Sequence, residues 1–422
     1  MKKLLKKIKI KRRLIAILAY FHIFGNPSKK LKIIGVTGTN GKTTTTTLLY
    51  EVAMALGHKA GLIGTVENKI GEKTVQADHT TPDPKQLYRL LNEMVREGCE
   101  YVFMEVSSHA LHQNRTAGIK FAGAIFTNLT HDHLDYHENF ENYFKAKKKL
   151  FSGLSKNAFA LSNVDDEYGY KIIKNIKAES YLYGFENNAD FNNDSDFKGE
   201  IIKKDFTGLE IRVNKSEKIK TKLLGSFNAY NILAVWCAAK LLGFNKEKTL
   251  KILEDIDPPR GRFDHFVSKS GVMVVVDYAH SPDSLHKIIN AVNEIKPENG
   301  RLITVFGCGG DRDMAKRKVM GKIGATFSDI AIFTSDNPRN EDPEKIIDDM
   351  KIDLTKEELN KIKTISNRQE AIKESVKIAK EGDIILCAGK GHEDYQEIKG
   401  VRNHFNDIEQ LRSVLDRYSQ SS

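Results

Sequence analysis

Lys42 and Thr43 are the first residues whose types and spacing point to chemistry. They close the run Gly38-Thr39-Asn40-Gly41-Lys42-Thr43-Thr44, which follows the apolar stretch Ile33–Val36. Glycines in such a turn let successive backbone N–H groups converge on a phosphate, and the helix opening there adds its positive dipole end. The Lys42 ammonium can then reach the β- and γ-phosphates, and the Thr43 hydroxyl is placed to ligate Mg²⁺. The spacing departs from the common phosphate loop, because Val36 stands where the first glycine is expected. An ordinary glycine-containing turn is the competing reading. Strand context, Lys42 and the Thr pair favour phosphate binding, with a helix from near Lys42 to Gly57.

Carboxylates and histidines follow. Glu105 ends the apolar run Tyr101–Met104 and can join Thr43 on a Mg²⁺ that bridges the terminal phosphates, since Mg²⁺ takes few protein oxygens and keeps several waters. An ion pair with Lys42 competes with that role. His131, Asp132, His133 and His137 suggest zinc, but they lack the helical H-E-x-x-H spacing. His133 alone, as ligand to a second Mg²⁺, suits the pattern better. Ser107, Ser108 and His109 look like a Ser–His nucleophile, yet neighbours on a strand face opposite ways. Lys147 sits in Tyr143–Phe151, which reads as an amphipathic helix with a solvated basic face.

These residues need a scaffold that brings strand ends together. Tyr101–Met104 ends at Glu105–His109, and Ala122–Phe126 ends at Thr127–His133. Continuous apolar runs separated by helical stretches read as parallel strands buried on both faces, with ligands outside their carboxyl ends. Residues 165–224 are rich in Asn, Asp and Lys and read as an antiparallel excursion, followed by a helix from Asn228 to about Leu242. Asp257-Pro258-Pro259 is the clearest linker. Beyond it the βα pattern restarts, with strands ending at Asp277–His280, Gly307–Asp313, Ser335–Arg339 and Ala388–Glu393. The expected class is α/β: a tail at 1–30, a P-loop central domain with a mostly parallel sheet at 31–257, and a Rossmann-like domain at 258–422, facing each other across a cleft.

Composition narrows the class. Hydrophobic content of 40% and charged content of 29% suit a globular chain of two or three domains. The net charge of +10 is local: residues 1–32 carry eleven Lys/Arg and no acid, leaving 55 basic against 56 acidic residues elsewhere. A basic nucleic-acid-binding body is thereby excluded, and no nucleic-acid partner is expected. Cys99, Cys237, Cys308 and Cys387 are far apart, which fits a reducing cytoplasm. Residues 1–24 are basic and then apolar, too short in their apolar part to span a bilayer. A helix lying on an anionic membrane surface and a helix docked on the first domain both stay open.

Together these motifs resemble the Mur ligase family of ATP-dependent amide ligases, from about Phe24 to the C-terminus. Gly38–Thr44 matches the family's phosphate loop, including its departure from the common pattern. Within the family the chain is most similar to members that add the third residue of the peptidoglycan stem peptide. Thr80-Thr81-Pro82, Glu105–His109 with Ser107, and Gln113 with Arg115 resemble segments that hold the muramoyl-dipeptide. Asn128-Leu129-Thr130 with Asp132-His133 resembles the metal and ATP segment. Lys147 falls on a lysine that the family carbamylates, which would make it an anion for a second Mg²⁺ beside His133. Asn228 with Asn231, Gly261-Arg262 and Asp277–His280 resemble nucleotide-contacting segments.

Asp336-Asn337-Pro338-Arg339 resembles the tetrapeptide that accompanies use of meso-diaminopimelate, whereas lysine-adding relatives lack the Arg. A guanidinium can grip that amino acid's distal carboxylate with two parallel hydrogen bonds. Arg312, Gly389 and Glu393 fall on the other positions that hold it, with Glu393 meeting the distal ammonium. A surface ion pair of Arg339 with Glu341 or Asp342 is the competing reading.

The resemblance implies an ATP-dependent acid–amino-acid ligase of peptidoglycan synthesis. It would join meso-diaminopimelate to the D-Glu of a muramoyl-L-Ala-D-Glu precursor through an acyl phosphate. Lys42, Glu105, His133 and Lys147 would be its catalytic group, with ATP, two Mg²⁺ ions and a carbamate on Lys147. The alternatives are a lysine-adding or folylpolyglutamate-type ligase on the same scaffold, and a non-catalytic nucleotide-binding regulator. In one respect the chain departs from the family, which begins with a whole domain that grips uridine diphosphate. Only about thirty residues precede the loop here. The expectation is a chain without that domain that meets its precursor, UDP-linked or lipid-linked, at the inner face of the membrane.

Overall fold

A computed structural model describes residues 25–185 and 195–420. Residues 1–24, with both readings of the basic tail, lie outside the described residues. The chain forms two compact units, the second comprising the residues from Asp257 onward together with the short segments Lys204–Thr207 and Leu223–Ser226.

The first unit is built on one sheet. In chain order its strands begin with β1 (Lys32–Thr37), β2 (Ala60–Ile63), β3 (Glu67–Ile70), β4 (Lys73–Gln76), β5 (Tyr101–Glu105) and β6 (Phe121–Phe126). Then come β7 (Phe159–Asn163), β8 (Glu179–Phe185), β9 (Phe197–Asp205), β10 (Gly208–Val213) and β11 (Glu217–Thr221). Their order across the sheet is β11-β10-β9-β8-β7-β6-β1-β5-β2-β3-β4. From β2 through β5, β1, β6, β7 and β8 to β9 every pairing is parallel. β1 sits in the middle because Ile33, Ile34 and Val36 lose all contact with solvent, as strands covered on both faces do. The antiparallel excursion expected over 165–224 starts later. A short helix, Gly169–Ile173, carries the chain back so that β8 pairs parallel with β7, and the antiparallel pairing of β10 with β11 comes only afterwards.

Helix α1 (Lys42–Ala55) follows β1 and opens on five threonines, which are poor helix formers. Burial of Thr43–Thr46 and the Thr46 hydroxyl, which donates to the Lys42 carbonyl at 2.9 Å, offset that weakness. Two further helices frame the loop: α2 (Ser108–His112) and α3 (Phe140–Ser152). In α3 the buried stripe is Tyr143, Phe144, Ala146, Lys147, Leu150 and Phe151. Lys147 is four residues from both Tyr143 and Phe151, so it shares their inward face and not the solvated basic one expected for it. Helix α4 (Ser226–Leu241) is almost wholly buried.

The second unit has β12 (Asp264–Val267), β13 (Met273–Asp277), β14 (Leu302–Phe306), β15 (Ile330–Phe333), β16 (Ile362–Thr364) and β17 (Ile384–Ala388). They lie in the order β12-β13-β17-β14-β15-β16, all parallel except the edge strand β12. The carboxyl ends of β13, β14, β15 and β17 therefore share one sheet edge, where ligands of open α/β sheets bind. A separate hairpin, β18 (Tyr395–Ile398) and β19 (Val401–His404), precedes helix α5 (Asp407–Gln420). Asp407 accepts from Arg368 at 2.8 and 2.7 Å, a pair with no solvent exposure, and Arg368 Nη2 also donates to the Ala388 carbonyl at 3.2 Å. No helix among the described residues is long and apolar enough to cross a membrane.

Candidate active site

The turn between β1 and α1 is braced from β6. Asn128 Oδ1 accepts from Asn40 N at 2.9 Å, Asn128 O accepts from Thr39 N at 2.8 Å, and Thr127 Oγ1 donates to Asn40 O at 2.6 Å. A Cβ at Gly38 would overlap the Thr127 hydroxyl, and one at Gly41 would overlap Asn231 Oδ1. Gly41 also adopts a left-handed φ of 83°, so glycine is required there for two reasons. Asn231 in turn donates to Asn228 Oδ1 at 3.0 Å within α4, which fixes the Asn231 amide that faces Gly41. The Lys42 ammonium folds back onto the Gly38 and Thr39 carbonyls at 3.0 and 2.8 Å.

Lys147 donates to the same Gly38 carbonyl at 2.6 Å and lies over the Tyr143 ring, 4.6 Å from its centre. Burial, with the Lys42 charge beside it, holds the Lys147 pKa well below the ordinary lysine value. A neutral amine is the form that adds to CO₂, so this environment fits the carbamate. As an ammonium Lys147 would repel a metal ion, and only as a carbamate could it hold one. Glu105 is likewise buried. Its carboxylate accepts from Thr43 Oγ1 at 3.0 Å, Thr65 N at 2.7 Å and Thr65 Oγ1 at 3.1 Å. The ion pair with Lys42 that the sequence left open is thus replaced by hydroxyl and amide donors. Thr43 and Glu105 bring two hard oxygen ligands together beside the loop, a donor set that fits Mg²⁺.

The histidines gather around aromatic rings. His109 stands 4.9 Å from His133 and 5.5 Å from His137, centre to centre, and His133 stands 6.2 Å from Tyr143. Burial and the neighbouring His109, His112, His133 and Lys147 lower the His137 pKa from 6.5 to about 4, so it is neutral at physiological pH. Its Nε2 shares a hydrogen bond of 3.0 Å with Ser108 Oγ. His133 is exposed, with a left-handed φ of 54° and Asp132 Oδ2 at 3.5 Å. Ser107 is no strand residue: it caps α2, its Oγ accepting from Ala110 N at 3.2 Å.

The expected dipeptide-binding residues form one hydrogen-bonded chain. Thr81 Oγ1 donates to Glu105 O at 2.9 Å and accepts from Ser107 N at 3.0 Å. Arg115 donates to Thr81 O at 2.8 Å and to Gln113 Oε1 at 2.9 and 3.1 Å, while Gln113 Nε2 donates to Tyr136 OH at 3.0 Å. Thr80 Oγ1 accepts from Thr65 Oγ1 at 3.0 Å. Thr65, Tyr136 and Tyr143 went unnoticed in the sequence. Thr65 in particular lies on a turn with no motif around it.

In the second unit, Asp277 ends β13 and accepts from Phe263 N and Ala279 N, each at 2.8 Å, and burial raises its pKa. The Arg262 guanidinium lies over the Tyr278 ring at 4.8 Å. The β15 end leads to the Asp336–Arg339 turn. Asn337 Nδ2 donates to Glu393 Oε2 at 2.8 Å, and the buried Lys390 ammonium donates to Asn337 Oδ1 at 3.3 Å and Glu393 Oε2 at 3.2 Å. Burial and the Asp336 charge raise the Glu393 pKa, against the pull of Lys390. Asp336 Oδ2 is buried with no hydrogen-bond partner among the described residues and faces Gly389, where a Cβ would stand 2.7 Å from it. A bare carboxylate oxygen beside a second carboxylate fits an ammonium.

Arg339 donates from Nη1 to Gly310 O at 2.7 Å, and its Nε stands 3.9 Å from Glu397 Oε2. The expected surface partners Glu341 and Asp342 are engaged elsewhere: Glu341 accepts from Arg317 at 2.8 Å, and Asp342 caps the helix Pro343–Lys351. A side chain at Gly309 would meet both Arg339 Nη1 and Arg312 Cγ, so the two arginines converge there. This turn therefore gathers the Arg339 guanidinium, the stem of Arg312, the Lys390 side chain and the carboxylates of Asp336 and Glu393, groups of both signs that suit a molecule carrying both charges at its end.

Comparison with known proteins extends these observations. Residues 36–239 match the Mur ligase middle domain, and residues 261–391 match the Mur ligase, glutamate ligase domain. A protein of Phocaeicola vulgatus named UDP-N-acetylmuramoyl-L-alanyl-D-glutamate–2,6-diaminopimelate ligase is 50% identical over 392 residues, which cover 93% of this chain and 80% of that one. One of the same name from Clostridium botulinum is 43% identical, covering 97% of this chain and 83% of its own. A solved structure of a ligase with that name superposes with a TM-score of 0.68 at 33% identity, over 96% of this chain and 81% of that one. A folylpolyglutamate synthase of Thermotoga maritima, 13% identical, covers 88% of this chain and 89% of its own with a TM-score of 0.66, a likeness of fold alone.

Proposed function

This chain belongs to the Mur ligase family of ATP-dependent ligases, and we propose that it joins meso-diaminopimelate to the D-Glu carboxylate of a muramoyl-L-Ala-D-Glu precursor in cytoplasmic peptidoglycan synthesis. The observation that carries this reading is the turn at Asp336–Arg339, where two arginines and two carboxylates fit the two charges at the distal end of diaminopimelate. Residues 31–257 act as the ATP-binding region and 258–422 as the region that selects the amino acid.

In the proposed reaction the D-Glu carboxylate oxygen attacks the γ-phosphorus of ATP, and ADP leaves. Backbone amides of Gly38–Thr44 and the Lys42 ammonium orient the phosphates and stabilise the charge that develops. Thr43 and Glu105 would hold one Mg²⁺, and His133 with a carbamate on Lys147 a second; when bound, such ions would neutralise phosphate charge. Thr80, Thr81, Ser107, Gln113 and Arg115 position the precursor, with Asn128, Asn228, Arg262 and Asp277 on the nucleotide. The amine of diaminopimelate then attacks the acyl phosphate carbonyl. Arg312 and Arg339 hold its distal carboxylate, while Asp336, Asn337, Gly389 and Glu393 receive its distal ammonium. Phosphate leaves, the amine loses a proton, and the amide remains.

Phosphate release should require both a muramoyl-dipeptide and diaminopimelate, with lysine a poor replacement. Equal turnover with lysine, or turnover without any amino acid, would refute the assignment. Running the assay with a UDP-linked and a lipid-linked donor decides the carrier. The composition of residues 1–24 supports peripheral contact with an anionic membrane. Full-length chain should float with anionic vesicles and a chain lacking residues 1–24 should not; equal partitioning removes that contact.

A further inference from the structure

The hairpin β18–β19 grips the Asp336–Arg339 turn through both main chain and side chains. Gln396 Nε2 donates to Asp336 O at 2.8 Å, and Glu397 N donates to Asn337 Oδ1 at 2.9 Å. Arg339 N donates to Glu397 O at 3.0 Å and Lys399 N donates to Arg339 O at 2.6 Å, so Arg339 pairs with Ile398 as an isolated parallel bridge. Arg339 has a φ of 52°, a left-handed backbone that a residue with a long side chain adopts only where its surroundings over-determine it. The two backbone bonds on either side of its Cα are that surrounding. Asn337 is divided in the same way. Its oxygen faces Glu397 N and Lys390, which leaves its nitrogen toward Glu393.

We propose that the hairpin Tyr395–His404 is the element that determines amino-acid specificity, with Gln396 and Glu397 as its positioning residues. This rests on the diaminopimelate reading above. A guanidinium separates a distal carboxylate from the bare ammonium of lysine only if its fork points along the carboxylate plane. Return of Arg339 to the ordinary right-handed backbone would swing that fork away. The hairpin bonds hold it, and they also keep the Asn337 amide turned so that its nitrogen orients the Glu393 carboxylate.

The Glu397 N–H points at Asn337 and takes no part in the β18–β19 ladder, so Glu397→Pro removes that donor and no backbone bond of the hairpin. It also removes a carboxylate 3.9 Å from Arg339 Nε and 3.6 Å from Arg402 Nε, so Glu397→Gln, which keeps the N–H, serves as its control. Gln396→Ala removes the other donor and leaves the backbone alone. In the full chain Glu397→Pro and Gln396→Ala should each raise KM for diaminopimelate about 5- to 10-fold, the effect of one hydrogen bond, with kcat and the KM for ATP within about 2-fold. The preference for diaminopimelate over lysine in kcat/KM should fall by the same factor. An unchanged KM in both variants, while Arg339→Ala raises it, overturns the role of the hairpin and leaves the substrate reading standing. If Arg339→Ala also leaves KM and preference unchanged, the substrate reading falls and the hairpin's role with it. A parallel rise of every KM in Gln396→Ala, with a lower melting temperature, overturns the proposal in favour of a general structural role.

Discussion

Around Gly38 the cationic side chains rest on main-chain carbonyls, Lys42 on Gly38 and Thr39 and Lys147 on Gly38. Around Asn337 the charges meet side chain to side chain, and Arg339 is clamped by a hairpin some sixty positions further along the chain. The first arrangement comes with the strand–turn–helix itself, so it suits a step shared by every substrate. The second depends on contacts between distant residues, which can change without disturbing the sheet. On the proposed reading, chemistry and choice of amino acid fall on parts of the chain that can vary independently.

Lys42→Ala gives the largest expected effect, a loss of about 10³-fold or more in kcat with every amino acid, as for removal of a charge that stabilises a transferring phosphoryl group. Steady-state rates with diaminopimelate and lysine check it, and a loss confined to one of them would break the comparison. Lys147→Ala should cost about 10²-fold, again for every amino acid. Burial lowers its pKa and so enlarges the share of neutral, CO₂-reactive amine, which is lost to protonation as pH falls. Stripping bicarbonate should therefore slow the wild-type chain and leave Lys147→Ala unchanged. Arg339→Ala should raise KM for diaminopimelate by about 30- to 100-fold, the worth of a bidentate carboxylate contact, and barely alter the use of lysine. A uniform loss with both amino acids would erase the distinction.

The smallest effect concerns stability. His137 in the first unit and His392 in the second both have pKa values lowered from 6.5, to about 4 and about 3, chiefly by burial. Below pH 6.5 the unfolded chain takes up protons that the folded one refuses. The stability these residues confer is full above 6.5 and drains away as pH falls toward their folded values, by about 1–3 kcal/mol each. Urea unfolding followed at the single tryptophan, Trp236, reports on the first unit. His137→Gln should flatten its acid dependence, and no change would show that His137 is not the titrating group.

Much of this was legible in the sequence, because the phosphate loop and the strand ends are local patterns. The parallel strands around β1 followed from apolar runs, whereas Asp336–Arg339 was legible only through its resemblance to a family motif, since Arg339 by itself reads as half of a surface ion pair. Lys147 was half-legible: Tyr143, Lys147 and Phe151 share a four-residue spacing, yet its charge argued for a solvated face. The partner of Arg339 was not legible. Glu341 and Asp342 are its neighbours in sequence, but the left-handed backbone turns Arg339 toward Gly310 and Glu397. Thr65 was invisible because its role depends on where β2 ends beside β5, not on any pattern around it.

Arg368 and Asp407 carry a last consequence. Asp407→Leu removes no residue of the proposed amino-acid site, yet it leaves the Arg368 guanidinium without its carboxylate in a dry interior at a cost of about 3–5 kcal/mol. That guanidinium also holds the Ala388 carbonyl, one position ahead of Gly389. Through that pair the final helix braces the end of β17 that carries Gly389, from the side of the sheet that no substrate would touch.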